Sequence, residues 1–165
     1  MLTSRVLTGL LASTLLALFA SAQEPDRGQV LMINGDGINP MCLDGPAPTI
    51  DSMWRGTVDG TQIVGAQGAM LMLSGGPWLL NGGALNTDFG QILIDPAMAI
   101  YRLNRPLQGG RVVFGLPVPN DLTMVGQKFY MQSLVYGYQV MQLCNGLELT
   151  IGNPVLPPQD GGATE

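Results

Sequence analysis

The chain has 165 residues, a formal net charge of −5 and no histidine. An acidic chain is poorly suited to bind nucleic acid or anionic membrane surfaces, because both attract basic proteins. The lack of histidine excludes Ser-His-Asp and Cys-His catalysis and the usual zinc sites, since these depend on imidazole.

The first predicted element is a secretory signal peptide over residues 1–22. It combines one positive charge, an almost wholly apolar stretch over residues 6–20 and the small residues Ala20-Ser21-Ala22 that signal peptidase reads. The alternative is a membrane anchor, but the apolar run of about 15 residues is shorter than the ~20 that a spanning helix needs. We therefore expect an exported protein that is extracellular, periplasmic or at the cell surface.

The remaining segment is long enough for one domain with a hydrophobic core. We expect this domain over residues 23–152, followed by a flexible tail rich in proline and glycine over residues 153–165. Charged residues make up only 12% of the chain and glycines number 23, a composition typical of short strands joined by tight turns.

Runs of apolar, aromatic and β-branched residues between turn signals predict a series of strands. They cover residues 29–33, 53–59, 67–73, 90–94, 97–103, 111–116, 128–136 and 145–152. Residues 38–43 are at best an edge strand, because Pro40 cannot donate to a ladder. Residues 67–73 could instead be a short buried helix, although the flanking glycines argue against it. Residues 77–89 are glycine-rich and are expected to form a long loop.

The clearest strand signals lie between residues 110 and 152. Alternation over residues 145–152 predicts one solvent-facing side and one buried side, the latter formed by Leu147, Leu149 and Ile151. The strand that begins at Arg111 is predicted to end at Leu116, because two prolines follow closely. With about eight to ten short strands and no amphipathic helix after the signal, we predict an all-β antiparallel β-sandwich, jelly-roll-like or immunoglobulin-like.

Acidic side chains could in principle form a catalytic pair that hydrolyses glycosides. Nearly all of them fall in turns, where aspartate is favoured because it caps the backbone. The candidates are Asp36, Asp44, Asp51, Asp59, Asp88, Asp95, Asp121 and Glu148. A hydrolase built on two aspartates is therefore only a third hypothesis.

A calcium site is a further possibility, because Asn34, Asp36 and Asn39 place oxygen ligands close together, with Asp44 not far behind. The segment lacks the ligand order and the bidentate glutamate of an EF-hand. The turn interpretation is preferred, and we predict no metal site, no cofactor and no catalytic residue.

Aromatic side chains could form a flat platform for sugar rings. Trp78 is the best candidate because it lies in a glycine-rich loop instead of an alternating strand, and Tyr101 is a second candidate ligand contact. Aromatic residues are only 6% of the chain, and most of them are expected in the core.

Cys42 and Cys144 are the only cysteines. An exported protein meets an oxidising compartment, so we expect a disulfide between them, the alternative being two buried free thiols. A disulfide that closes a loop of about 100 residues stabilises a fold by up to ~4.7 kcal/mol in the chain-entropy model. Without a CxxC motif or a neighbouring base, a redox-active role is not expected.

Several short motifs together resemble the signature of secreted planctomycete-type proteins of unassigned function. They are PVPNDL (117–122), VG (125–126), FYMQ (129–132) and CNGLELTIG (144–152), with upstream stretches at residues 37–42 and 54–59. The resemblance covers most of the mature chain and implies a β-sandwich found in exported proteins. It also implies a Cys42–Cys144 bridge, since both sites occur together in some relatives. It supplies no catalytic or ligand-binding residues.

These observations favour a secreted, non-enzymatic module that is structural or protein-binding. Its partner would be an extracellular protein or glycan, with no nucleic acid and no membrane span after signal cleavage. The alternative is a carbohydrate-binding module that uses loop aromatics such as Trp78.

Overall fold

The computed structural model describes residues 27–78 and 84–154. The predicted signal peptide (1–22), nearly all of the predicted tail (155–165) and part of the predicted long loop (79–83) lie outside the described residues. Within the described ranges the chain forms strands β1 Gln29–Ile33, β2 Leu43–Asp44, β3 Ser52–Asp59, β4 Ala66–Ser74, β5 Leu85–Thr87, β6 Gly90–Ile92, β7 Ala99–Pro106, β8 Arg111–Val118, β9 Lys128–Gly137 and β10 Val140–Thr150. In the same described ranges, two short 3-10 helices cover Pro96–Met98 and Leu122–Met124.

The strands form two main sheets and one hairpin. The larger sheet has the order β1-β10-β9-β4-β7, the smaller has the order β2-β3-β8, and β5 pairs with β6. Every ladder between these strands is antiparallel. The chain is therefore an all-β, antiparallel protein, as the sequence predicted.

The hydrophobic core lies between the two main sheets, which makes the architecture a β-sandwich. The larger sheet contributes buried side chains such as Val135 and Leu147, and the smaller contributes Trp54, Val58 and Phe114. These residues recur at every second position of their strands, so period-two alternation in the sequence was a correct guide to the core.

A disulfide joins the two layers. Cys42, immediately before β2, is bonded to Cys144 in β10, with 5.4 Å between the Cα atoms. Cys144 lies where the register of β10 against β9 shifts, between Leu143 and Gly146. Such an irregularity re-aims side chains locally, which places the cysteine toward the opposite layer. The predicted bridge is confirmed.

Several predicted bounds were wrong. The predicted loop over residues 77–89 contains strand β5, and the predicted strand over residues 90–94 ends at Ile92. The predicted strand over residues 97–103 begins only at Ala99, because Asp95 caps a 3-10 helix that opens with Pro96.

β8 does not end at Leu116 but continues through Pro117 to Val118. It is an edge strand paired only with β3, so a missing proline donor is tolerated on its free side. β10 begins at Val140 and not at residue 145, because the bulge interrupts the alternation on which the prediction depended.

The first and last strands of the described chain are neighbours. β1 pairs along its whole length with β10, with Gln29 opposite Thr150. The two backbones come so close beyond this pair that a Cβ atom on Gly152 would lie 1.8 Å from the Gly28 nitrogen. Within the described ranges, the chain contains no helix with the length and apolar character needed to cross a bilayer.

Candidate functional site

One end of the sandwich contains an apolar cavity of about 290 Å³, here called the end cavity. Six strands reach it at the same end of the sandwich: β3, β7 and β9 where they begin, and β4, β8 and β10 where they finish. Because neighbouring strands run in opposite directions, their starts and finishes meet at one end. The lining residues are Pro48, Trp54, Leu73, Ile100, Tyr101, Leu116, Pro117, Val118, Pro119, Met124, Phe129, Met131, Leu149 and Ile151.

The lining of the end cavity is almost entirely hydrocarbon. The indole nitrogen of Trp54 is already engaged, since it donates to the Pro46 carbonyl oxygen at 2.8 Å. Tyr101 is the one titratable side chain among the lining residues. The other lining residues carry aliphatic, thioether or aromatic side chains and proline rings. The end cavity is therefore suited to binding apolar groups.

The two aromatic residues singled out in the sequence lie in different settings. Tyr101 is 57% exposed and stands at the rim of the end cavity. Trp78 is half-buried, its backbone N–H donates to the Leu93 carbonyl at 3.0 Å, and it does not line that cavity. The structure thus places Tyr101, but not Trp78, at the end cavity.

Sequence reasoning missed a network of buried amide side chains. Gln132 is fully buried, and its Oε1 accepts from the Leu93 N–H at 2.9 Å. Its Nε2 donates to the carbonyl oxygens of Gln91 and Cys144, at 2.7 and 2.9 Å. A primary amide offers two donor hydrogens and one acceptor, so Gln132 uses both ends of the group. It anchors the segment around β6 to the outer face of the larger sheet.

Asn39 extends the same network from the turn after β1. Its Oδ1 accepts from the Gln91 N–H at 2.7 Å, and its Nδ2 donates to the carbonyls of Gln91 and Cys144. Asn145 acts similarly at the bulge of β10, exchanging two hydrogen bonds with the backbone of Leu43 at 2.9 and 2.8 Å. Each amide replaces part of a strand ladder, so the role of these residues is structural.

The turn acids cap the backbone, as their positions in the sequence predicted. Asp59, Asp95 and Asp121 each accept from the backbone N–H two residues later, at 3.0, 2.8 and 2.9 Å. The hydroxyl and N–H of Thr61, together with Arg111, lower the pKa of Asp59 to about 2. Hydrogen bonds from Thr123 likewise lower the pKa of Asp121. These carboxylates are stabilised in their ionised, hydrogen-bonded form.

A second charged cluster lies on the outer side of β9 and β10. Lys128 is paired with Glu148, and this hydrogen bond raises the pKa of the lysine. Burial, followed by the nearby Glu148 charge, raises the pKa of Tyr130. The pair is an exposed cross-strand contact between opposite charges, which is a structural role.

Two of the oxygen atoms considered for calcium are used within the protein, whereas Oδ1 of Asn34 is buried without a hydrogen-bond partner among the described residues. The Oδ1 of Asn39 accepts from Gln91, and Oδ2 of Asp36 accepts from the Gln91 side chain at 2.6 Å. In the part of the chain that the structure describes, no group of three or more Cys, Asp or Glu side chains could hold a metal ion.

A comparison of the chain with models of known protein families found no match, and a comparison with curated proteins found none. The resemblance to secreted planctomycete-type proteins therefore stays a prediction.

Proposed function

We propose that this protein is a secreted, non-enzymatic binding module that receives an apolar side chain of a partner protein in the end cavity. The observation that carries the proposal is the lining of that cavity, whose polar side-chain groups are the phenol of Tyr101 and the indole nitrogen of Trp54, the latter already bonded to Pro46. Secretion is supported by the N-terminal signal pattern and by the Cys42–Cys144 disulfide, since disulfides persist in oxidising compartments.

The size of the end cavity favours a side chain over a whole small molecule. Its volume of about 290 Å³ is at the lower limit of the ~300–1,000 Å³ typical of small-molecule sites. Exposed apolar side chains at the rim, such as Ile100 and Tyr101, would cover the backbone on either side of an inserted residue. A leucine or phenylalanine in an extended segment of the partner is the expected occupant.

Carbohydrate binding is the second candidate, and the exposed ring of Tyr101 favours it. A sugar ring can stack on an exposed aromatic face, but its hydroxyl groups also need polar partners. The end cavity offers few of these, because only Tyr101 among its lining residues has a polar side chain that is not already bonded within the protein. The apolar side chain is therefore the better-matched ligand.

Nuclear magnetic resonance titration with defined probes tests the proposal. The probe is a capped glycine-rich peptide with one central phenylalanine, and the matched control peptide has serine at that position. We expect the phenylalanine peptide to shift the signals of Leu116, Phe129 and Ile151, with no comparable effect of the serine peptide. Ile100→Lys at the rim should abolish these shifts, whereas Met141→Lys, at a similarly exposed residue outside the cavity lining, should not.

Two results would contradict the proposal. The first is an equal response to both peptides, or shifts confined to residues outside the end cavity. The second is a response to β-linked glucose or N-acetylglucosamine oligomers that disappears in Tyr101→Ala while the phenylalanine peptide has no effect. The second outcome would favour the carbohydrate-binding alternative.

A further inference from the structure

β1 is an edge strand with an unusual composition. Among the described residues it pairs with β10 alone, so its other side presents backbone groups that no described strand covers. Its sequence, Gln-Val-Leu-Met-Ile, contains neither charge nor proline. Edge strands of monomeric proteins are commonly protected by charge, proline or a bulge, because an open edge pairs readily with another strand.

The other edges of the two main sheets in the described chain carry such protection, and the strands of the β5–β6 hairpin are only three residues long. At the opposite edge of the larger sheet, β7 contains Arg102, Arg105 and Pro106. In the smaller sheet, β8 contains Arg111 and Pro117, and β2 is only two residues long. The lack of protection at β1 is therefore specific to one edge.

β1 also exposes apolar side chains on both faces. Val30 and Met32 lie opposite the buried residues Leu149 and Leu147, which places them on the inner face of the sheet. They are nevertheless 42% and 44% exposed, and the facing sheet has three strands where the larger sheet has five. Leu31, on the outer face, is 61% exposed. A strand added at this edge would cover apolar side chains as well as backbone groups.

We propose that β1 binds β1 of a second copy of this chain, in an antiparallel pair related by a twofold axis at Leu31. This register is the one that pairs all five residues: Leu31 faces the partner's Leu31, Val30 faces the partner's Met32, and Gln29 faces the partner's Ile33. The two five-stranded sheets become one continuous sheet. Val30 and Met32 of both copies form a single apolar row on its inner face.

The charge distribution argues for a second copy as the occupant. In a twofold pair the same strand of each copy faces the other. Charged side chains in that strand therefore come close to identical charges of the second copy, which is unfavourable. Pairing through β7 would gather Arg102 and Arg105 of both copies, whereas β1 contributes no charge. Five residue pairs form a small contact, and the net charge of −5 opposes association at long range. The dimer is therefore weak, concentration-dependent and strengthened by added salt.

Sedimentation velocity on the purified chain over a wide concentration range tests the proposal. The expected result is a monomer–dimer equilibrium that shifts toward dimer at higher ionic strength. Leu31→Lys should weaken dimerisation by about tenfold or more, because two like charges then face each other across the axis. The matched control is Val113→Lys, at an exposed apolar residue of edge strand β8, which should leave the equilibrium unchanged.

A cysteine cross-link tests the register independently of folding stability. Directly opposite residues in an antiparallel pair have Cβ atoms about 4.5–5.5 Å apart, close enough for a disulfide after small adjustment. Leu31→Cys should therefore give a covalent dimer under mild oxidation, whereas Gln29→Cys, whose predicted neighbour is the partner's Ile33, should not. Three results would each overturn the proposal: a monomer at every concentration, a dimer insensitive to Leu31→Lys, or cross-linking that is equal at both positions. This inference does not depend on the proposed use of the end cavity.

Discussion

At the scale of single residues, buried amide side chains form hydrogen bonds with backbone groups that a neighbouring strand would usually pair. Gln132 supplies one acceptor and two donors to backbone groups of β6, β10 and the residue after β6. A buried backbone group without a partner loses free energy comparable to a lost hydrogen bond, so such groups are nearly always satisfied. The amides therefore make it possible for irregular backbone to be buried against the outer face of the larger sheet.

Replacing Gln132 by leucine tests this role. The change keeps an apolar side chain of similar size but leaves the Leu93 N–H without its acceptor and the Gln91 carbonyl with one donor fewer. We expect the free energy of unfolding to fall by about 2 kcal/mol or more, since an unsatisfied buried polar group costs ~1–3 kcal/mol. Urea denaturation followed by tryptophan fluorescence would measure it.

The matched control is Gln67→Leu, because Gln67 is an exposed glutamine in β4. A substitution at such a surface position is expected to change stability by no more than about 0.5 kcal/mol. If the two variants lost the same amount of stability, the buried amide would not have the role assigned to it.

At the scale of elements, the sequence predicted the buried residues of a strand correctly where that strand has one buried face and one solvent-facing side. The inward residues of β3 and of the last part of β10, from Leu147 to Thr150, could be predicted because side chains there alternate between more exposed and buried positions. Gln132 could not be predicted as buried, because it lies on the face of β9 opposite Met131, where solvent would be expected. What buries it is a segment around β6, brought there by tertiary folding.

The end cavity could not be predicted for a related reason. It is a gap between the ends of six strands, and its volume depends on how those ends diverge, which no single strand encodes. Tyr101 was identified as a candidate contact only because it is aromatic, and its place at the rim depends on the pairing of β7 with β4. Local patterns therefore predicted most of the strands, though not β5, and did not predict the space between them.

The packing of Trp54 gives a prediction at this scale. Its indole lies across the backbone of Gly56, where a Cβ atom would come within 2.1 Å of the ring. Gly56→Ala should therefore displace a buried tryptophan and destabilise the fold by about 1–3 kcal/mol, as overpacked cores do. The control is Gly115→Ala in the neighbouring strand β8, where a Cβ would meet only Met53 at 3.4 Å.

Thermal unfolding followed by circular dichroism compares the two variants. We expect a lower midpoint and an altered near-ultraviolet tryptophan signal for Gly56→Ala, and a near-normal midpoint for Gly115→Ala. An unchanged tryptophan signal in Gly56→Ala would mean that the indole does not lie where the structure places it.

At the scale of the whole molecule, the disulfide connects residues 102 apart in sequence and joins the two layers of the sandwich. Replacing both Cys42 and Cys144 by alanine should lower the free energy of unfolding by about 2–5 kcal/mol, the usual range for a native disulfide in a small secreted domain. Urea denaturation with and without reductant measures this loss. Reductant should destabilise the native chain but leave the double variant unaffected, and equal stability of the oxidised and reduced native chain would contradict the prediction.

The pairing of β1 with β10 has a mechanical consequence. Because Gln29 faces Thr150, tension applied through the two ends of the domain would open this ladder one hydrogen bond at a time, like a zipper. The opening would stop where the load reaches Cys42 and Cys144, since a covalent bond then carries it. The strands between the two cysteines would bear no force. Under load the domain would lengthen only by the segments outside the two cysteines. Further extension would be resisted by the covalent disulfide.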